Sequence, residues 1–137
     1  PLEGTVLISV SDKDKPELVE VAKGMHENGF RIIATGSTYD KIAQAGIPAK
    51  KIAKINEGRP NILDEITNKK VQMIINTPVG KKGAVDDSYI RKAAIKNKIP
   101  YMTTMAAAKA SVQAIRAAKR DEKMGVKSLQ EFHKEIQ

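Results

Sequence analysis

Cysteine is absent from the 137 residues, so there is no disulfide framework and no thiolate metal site. Aromatic residues are 4% of the chain, too few for a surface on which nucleic-acid bases stack. No apolar run approaches the length of a membrane span, and no signal peptide is visible. Histidine is limited to His26 and His133, in separate helical patterns, with no neighbour at metal-ligand spacing. No Ser or Cys nucleophile has a histidine partner in a recognisable arrangement. The G-x-x-x-x-G-K-[ST] loop of ordinary ATP hydrolysis is also missing. No strand end carries a pair of carboxylates, and Asp12, Asp14, Asp86 and Asp87 fall at helix starts, where the helix dipole accounts for them. The expectation is a cytoplasmic protein with neither a membrane nor a nucleic-acid partner.

What is present is 41% apolar and 29% charged residues, the composition of one globular domain over residues 1–137. The first residue is Pro1 rather than methionine, which suggests a domain cut from a longer protein, although tag removal would look the same. The net charge of +8 invites a nucleic-acid reading. Yet the 24 basic residues are spread as singles and doublets such as Lys50-Lys51, Lys69-Lys70 and Lys81-Lys82. Scattered lysine is a solvated face, and a small anionic ligand fits this charge as well as a polyanion does.

Strand and helix patterns alternate five times. "TVLISV", Thr5 to Val10, is a β-branched run of the kind buried on both faces of a sheet. A polar turn follows, then a helix that opens at Pro16, buries Leu18, Val21, Ala22 and Met25, and closes at Asn28-Gly29. The second strand runs near Arg31 to Thr35, and its helix from about Thr38 to Ala45. "AKKIAKI" gives a weaker third strand, "RPNILDEITNK" a short helix, and "VQMIIN" a fourth strand. A Gly- and Lys-rich loop leads to a helix over about Asp87 to Lys98, then a fifth strand "IPYMTT" and an alanine-rich helix over Ala106 to Lys119. Ser128 would open a separate final helix. The alternation, without hairpin signals, predicts an α/β fold with a parallel sheet between two helical layers.

Ligands in such sheets collect at the carboxyl ends of the strands. Three of those ends carry polar groups beyond a turn's needs: Ser9, Ser11 and Lys15 at the first; Thr35, Gly36, Ser37 and Thr38 at the second; Asn76 and Thr77 at the fourth, with Pro78 extending the loop. Each has an ordinary structural explanation as a cap, strand end or surface lysine. Together at one edge, the hydroxyls and helix N–H groups with an ammonium group are suited to a phosphate. Asn76, both donor and acceptor, is suited to a base or sugar.

The stretches "ISVSDKDK", "GFRIIATGST", "AGIPAKKIAKINEGRPNILDEI", "MIINTPVGKKGAVDDSYIRKAA" and "IPYMTT" together resemble the regulatory domain at the C-terminal end of the carbamoyl-phosphate synthase large chain, within the methylglyoxal synthase-like group. The likeness runs from about Gly4 to Ile136. It implies a five-stranded parallel sheet in the order 3-2-1-4-5, flavodoxin-like, between helical layers. It also implies an allosteric nucleotide: uridine monophosphate (UMP) as inhibitor, or inosine monophosphate (IMP) in some members. Carried over by position, the phosphate site is Lys15, Thr35 and Thr38, with Gly36 and Ser37 in the turn. Lys54 falls on the family lysine of the third-strand edge, Asn76 lies beneath the ribose or base, and Ser9 falls on the first-strand serine. Thr77 continues the fourth strand end, and Pro78 stands where one family pattern has threonine. The domain itself implies no cofactor and no catalytic or metal-ligating residue; the parent enzyme would use ATP with Mg2+ or Mn2+. Its partners would be the rest of the large chain and a glutaminase small subunit, in pyrimidine and arginine biosynthesis.

Two departures from relatives of that group bear on function. Catalytic methylglyoxal synthases carry an aspartate in a "GGD" block where this chain has "EGRP", with Arg59 near the position. Without that carboxylate, proton abstraction beside a carbonyl has no base. Animal versions that respond to N-acetylglutamate have tryptophan where Lys54 stands, and lysine suits a phosphate better than an acyl group. The expected function is a nucleotide-sensing regulatory domain. The alternatives are a small phosphoester-processing enzyme of the methylglyoxal synthase kind and a basic interaction module.

Overall fold

In the computed structural model, residues 3–58, 61–77 and 84–136 are described. Strands β1 (Thr5–Ser9), β2 (Arg31–Ala34), β3 (Lys50–Lys51), β4 (Met73–Asn76) and β5 (Tyr101–Met102) form one parallel sheet, in the order β3-β2-β1-β4-β5. Helices α1 (Lys15–Glu27), α2 (Gly36–Gln44), α3 (Ile62–Thr67), α4 (Ala84–Lys96) and α5 (Met105–Ile136) alternate with them.

Side chains alternate between the two faces of a strand, and β1 buries both sets. Val6 and Ile8 join Leu18, Met25, Ile42 and Val112, so α1, α2 and α5 cover one face. Leu7 joins Ile33, Ile66, Ile74 and Ile90, so α3 and α4 cover the other. Full burial of each such side chain is worth roughly 1.5–3 kcal/mol, which is why the apolar runs of β1 and β4 become the centre of the sheet. The order of strands turns back beside β1, so the tips of β1 and β4 border the crevice, with β2 next to them.

Local chemistry ends the helices. Gly29, at φ +92°, closes α1: its N–H donates to the His26 carbonyl, and the Phe30 N–H donates to the Met25 carbonyl. The same pair of bonds closes α3 and α4, but there the left-handed residues are Lys69 (φ 58°) and Lys98 (φ 56°). At the start of α3, Asn61 Oδ1 accepts from the Leu63 N–H at 2.9 Å, and the Asn61 N–H donates to Asp64 Oδ2 at 2.8 Å.

Several expected elements differ. The third strand shrinks to two residues, because after a lone bridge from Ala53 to Asn61 the chain turns through a 3-10 segment at Ile55–Glu57. The fifth strand is likewise two residues. The helix after β2 begins at Gly36 rather than Thr38, with Thr35 at the N-cap position. No separate helix opens at Ser128: the backbone is helical without a break from Met105 to Ile136. The residues between Lys119 and Ser128 include no proline, and a lone glycine costs a helix only about 1 kcal/mol.

Candidate functional site

Register places the polar residues. Ile8 pairs with Ala34, and Ser9 pairs with Asn76. The tip of β1 therefore lies between the tips of β2 and β4. Alternation carries Ser9, Thr35 and Asn76 to the face of Leu7, Ile33 and Ile74. Thr35, 1% exposed, donates its hydroxyl to Ser9 Oγ at 3.2 Å. Thr35 makes no side-chain cap to α2, so the leading N–H groups of that helix have no side-chain acceptor from their cap residue. Gly36 follows at φ +45°, and Ser37 is exposed on the first turn.

One ammonium group lies over this helix start and a second lies on the turn after β1. Lys54 leans over Gly36 so closely that a methyl group there would lie 3.3 Å from Lys54 Cε and 3.4 Å from Nζ. On the turn after β1, Lys15 Nζ donates to the Val10 carbonyl at 3.3 Å and to Asp12 Oδ1 at 2.7 Å. That hydrogen bond and the charge of Lys15 hold the Asp12 carboxyl below the usual aspartate range, with a smaller pull from Lys54.

Thr38 and Thr77 are committed to the turn after β1. Thr38 Oγ1 accepts from the Val10 N–H at 3.1 Å, and Thr77 Oγ1 accepts from the Ser11 N–H at 2.8 Å. Ser11 Oγ in turn donates to Asp14 Oδ2 at 2.7 Å. This bond, with a second from the Thr77 hydroxyl, lowers the Asp14 carboxyl pKa. The turn that carries Asp12 and Lys15 is thus pinned from α2 and from β4.

Asn76, 3% exposed, donates through Nδ2 to Asp87 Oδ1 at 3.0 Å and to the Tyr101 hydroxyl at 2.8 Å. A carboxylate only accepts, so the Asp87 contact fixes which arm of the amide is nitrogen. Both amide hydrogens are spent, and Asn76 offers a ligand an acceptor. Burial pushes the Tyr101 hydroxyl pKa up, against the opposing hydrogen bond from Asn76.

The structure thus brings Ser9, Lys15, Thr35, Gly36, Lys54 and Asn76 to one strand edge. Thr38 and Thr77 lie behind them as supports, and Pro78 lies outside the described residues. Sequence reasoning missed the roles of Asp12, Asp87 and Tyr101. The two aspartates passed as dipole partners at helix starts, and Tyr101 as a strand residue. A usable signal was position: Tyr101 pairs with Ile74, two residues before Asn76 and on the same face.

A family model described as the MGS-like domain matches residues 17–103. The carbamoyl phosphate synthase large chain of Archaeoglobus fulgidus is 52% identical over 136 residues, covering 98% of this chain and 12% of that one. The C-terminal section of the carbamoyl phosphate synthase large chain of Aquifex aeolicus is 42% identical over 137 residues, covering 97% of this chain and 26% of that one. The chain therefore spans about an eighth to a quarter of these relatives. Among solved structures, the methylglyoxal synthase of Elizabethkingia anophelis superposes with a TM-score of 0.65 at 18% identity, covering 82% of this chain and 78% of that one. ForH superposes with a TM-score of 0.65 at 16% identity, covering 85% of this chain and 81% of that one. At that identity the likeness is one of fold alone. Fold and sequence agree: the chain belongs to the MGS-like domain family, and its sequence relatives in that family are carbamoyl phosphate synthase large chains.

Proposed function

We propose that this chain is the regulatory domain of a carbamoyl phosphate synthase large chain. It binds a nucleoside monophosphate, UMP or IMP, at the tips of β1, β2 and β4, and does no chemistry itself. The observation that carries this reading is the start of α2, whose N-cap Thr35 makes no side-chain cap, with the Lys54 ammonium leaning over Gly36 and Lys15 held on the adjoining turn after β1. A phosphate monoester bears nearly two negative charges at neutral pH, and an open helix N-terminus and lysine ammonium groups supply donors and charge together. Ser9, held by the hydroxyl of Thr35, adds its own hydroxyl beside it, and the Asn76 carbonyl lies one strand further, where a sugar or base donor would reach.

Against catalysis by this domain, the carboxyls of Asp12 and Asp14 beside the cradle are held below their ordinary range, the wrong direction for a general base at neutral pH. The rest of the large chain and a glutaminase small subunit would be the partners, and ATP with Mg2+ or Mn2+ would serve the parent enzyme. Binding would tune carbamoyl phosphate synthesis, for pyrimidine and arginine pathways, by favouring one of two states of the full chain.

Calorimetric titration of the 137-residue chain with UMP and IMP tests the reading. Saturable binding of at least one is expected, and Lys15→Ala should weaken it by about tenfold, as loss of a hydrogen bond to a charged group predicts. Failure of both nucleotides to bind overturns it. So does turnover of dihydroxyacetone phosphate that disappears on substitution of one carboxylate.

A further inference from the structure

The carboxylate of Asp12 pairs with the Lys15 ammonium at 2.7 Å. Its side chain is 95% exposed, while that of its partner Lys15 is only 16% exposed, so the lysine is packed in place and the aspartate is the member that solvent surrounds. Lys15 is anchored by the Val10 carbonyl, whose strand end is itself held by Thr38. The charge of Lys54, which lies over the start of α2, also acts on Asp12, more weakly than that of Lys15. The other acidic group of the turn, Asp14, is turned away onto Ser11.

We propose that Asp12 is a built-in competitor for the anion: with no ligand bound, its carboxylate stands in for the phosphate on Lys15, and binding displaces it. This rests on the phosphate-site reading above and adds what controls the site's affinity. An exposed carboxylate–ammonium pair is weak, and a dianion that also meets backbone N–H groups outcompetes it. The pair therefore costs the ligand a modest factor in affinity. It also keeps Lys15 extended toward the site and discriminates against weakly charged anions.

The experiment titrates wild type, Asp12→Asn, Lys15→Ala and the double variant with UMP and, separately, with inorganic phosphate. Glu27→Gln serves as a control, since it removes the same charge beside Arg116 at the far end of α1. Asp12→Asn is expected to bind both probes about two- to fivefold more tightly, the range of an exposed ion pair. The gain should largely vanish in the Lys15→Ala background, and Glu27→Gln should show none. The proposal is overturned if Asp12→Asn binds no more tightly than wild type, if the gain persists in full without Lys15, if Glu27→Gln reproduces it, or if neither probe binds any variant. Failure of UMP alone, with phosphate still bound more tightly by Asp12→Asn, would sink the nucleotide reading and leave this inference standing.

Discussion

The hydroxyl of Thr38 closes both backbone groups of Val10, 28 residues earlier: Oγ1 accepts from the N–H at 3.1 Å and donates to the carbonyl at 3.5 Å. Both partners are buried, with Thr38 3% exposed and Val10 4%. Thr38→Ala would leave the Val10 N–H without its acceptor, at a cost of about 1–3 kcal/mol. A melting temperature lower by several degrees is expected, with Thr38→Ser recovering most of it. Equal stability of the alanine and serine variants would show that the hydroxyl does not hold the turn.

Lys69 and Lys98 give a prediction of the opposite sign. Each occupies the left-handed region that glycine adopts freely, and each closes a helix with the hydrogen bonds glycine makes at Gly29. Lys69→Gly and Lys98→Gly should each stabilise by a few tenths to about 1 kcal/mol, since the relief of the left-handed penalty of roughly 1–2 kcal/mol exceeds the entropy lost to glycine. Denaturant midpoints that fall in both variants would refute this.

Acid should loosen the turn after β1. Asp14 has a folded pKa below its ordinary 3.8, chiefly through Ser11. A depressed carboxyl contributes stability that is present above the unfolded pKa and lost as pH falls through the folded one. Ser11→Ala returns the folded value toward 3.8, so stability should fall less steeply below about pH 4 than in wild type. Parallel curves of melting temperature against pH would refute the assignment.

Tyr101→Phe removes one of the two acceptors that orient the Asn76 amide. Nucleotide affinity should drop several-fold, in line with about 0.5–1.5 kcal/mol for a neutral hydrogen bond, while affinity for inorganic phosphate stays unchanged. Equal losses for both probes would mean that the tyrosine supports the fold rather than the orientation of Asn76.

The parallel sheet was legible because burial on both faces leaves a clear trace in runs such as Thr5 to Val10 and Val71 to Asn76, whereas the order of its strands came only from the family resemblance. The strand-tip residues were legible for a related reason: Ser9, Thr35 and Asn76 each follow a buried apolar residue by two positions, which puts them on one face. What a hydroxyl bonds to was not legible. Thr35 and Thr38 look alike in "ATGST", yet one meets Ser9 and the other Val10, a choice set by how α2 packs against β1. The pairing of Asp12 with Lys15 was hidden by its location in a helix-start pattern that the dipole already explained. The unbroken α5 was missed because a serine that can cap a helix is also tolerated inside one.

The central position of β1 has a kinetic consequence. It pairs with β2 soon after it in the chain, but its other neighbour, β4, begins only at Met73, and the bond from the Ser11 N–H to Thr77 spans 66 residues. Closing so long a loop is slow, and its entropy must be met before the contacts reward it. An early unit of β1, α1 and β2 would hold Lys15 and Thr35, but not the β4 groups that pin the turn and bring Asn76. Competence to bind should therefore appear late in refolding, and a ligand would select completed molecules rather than guide their assembly.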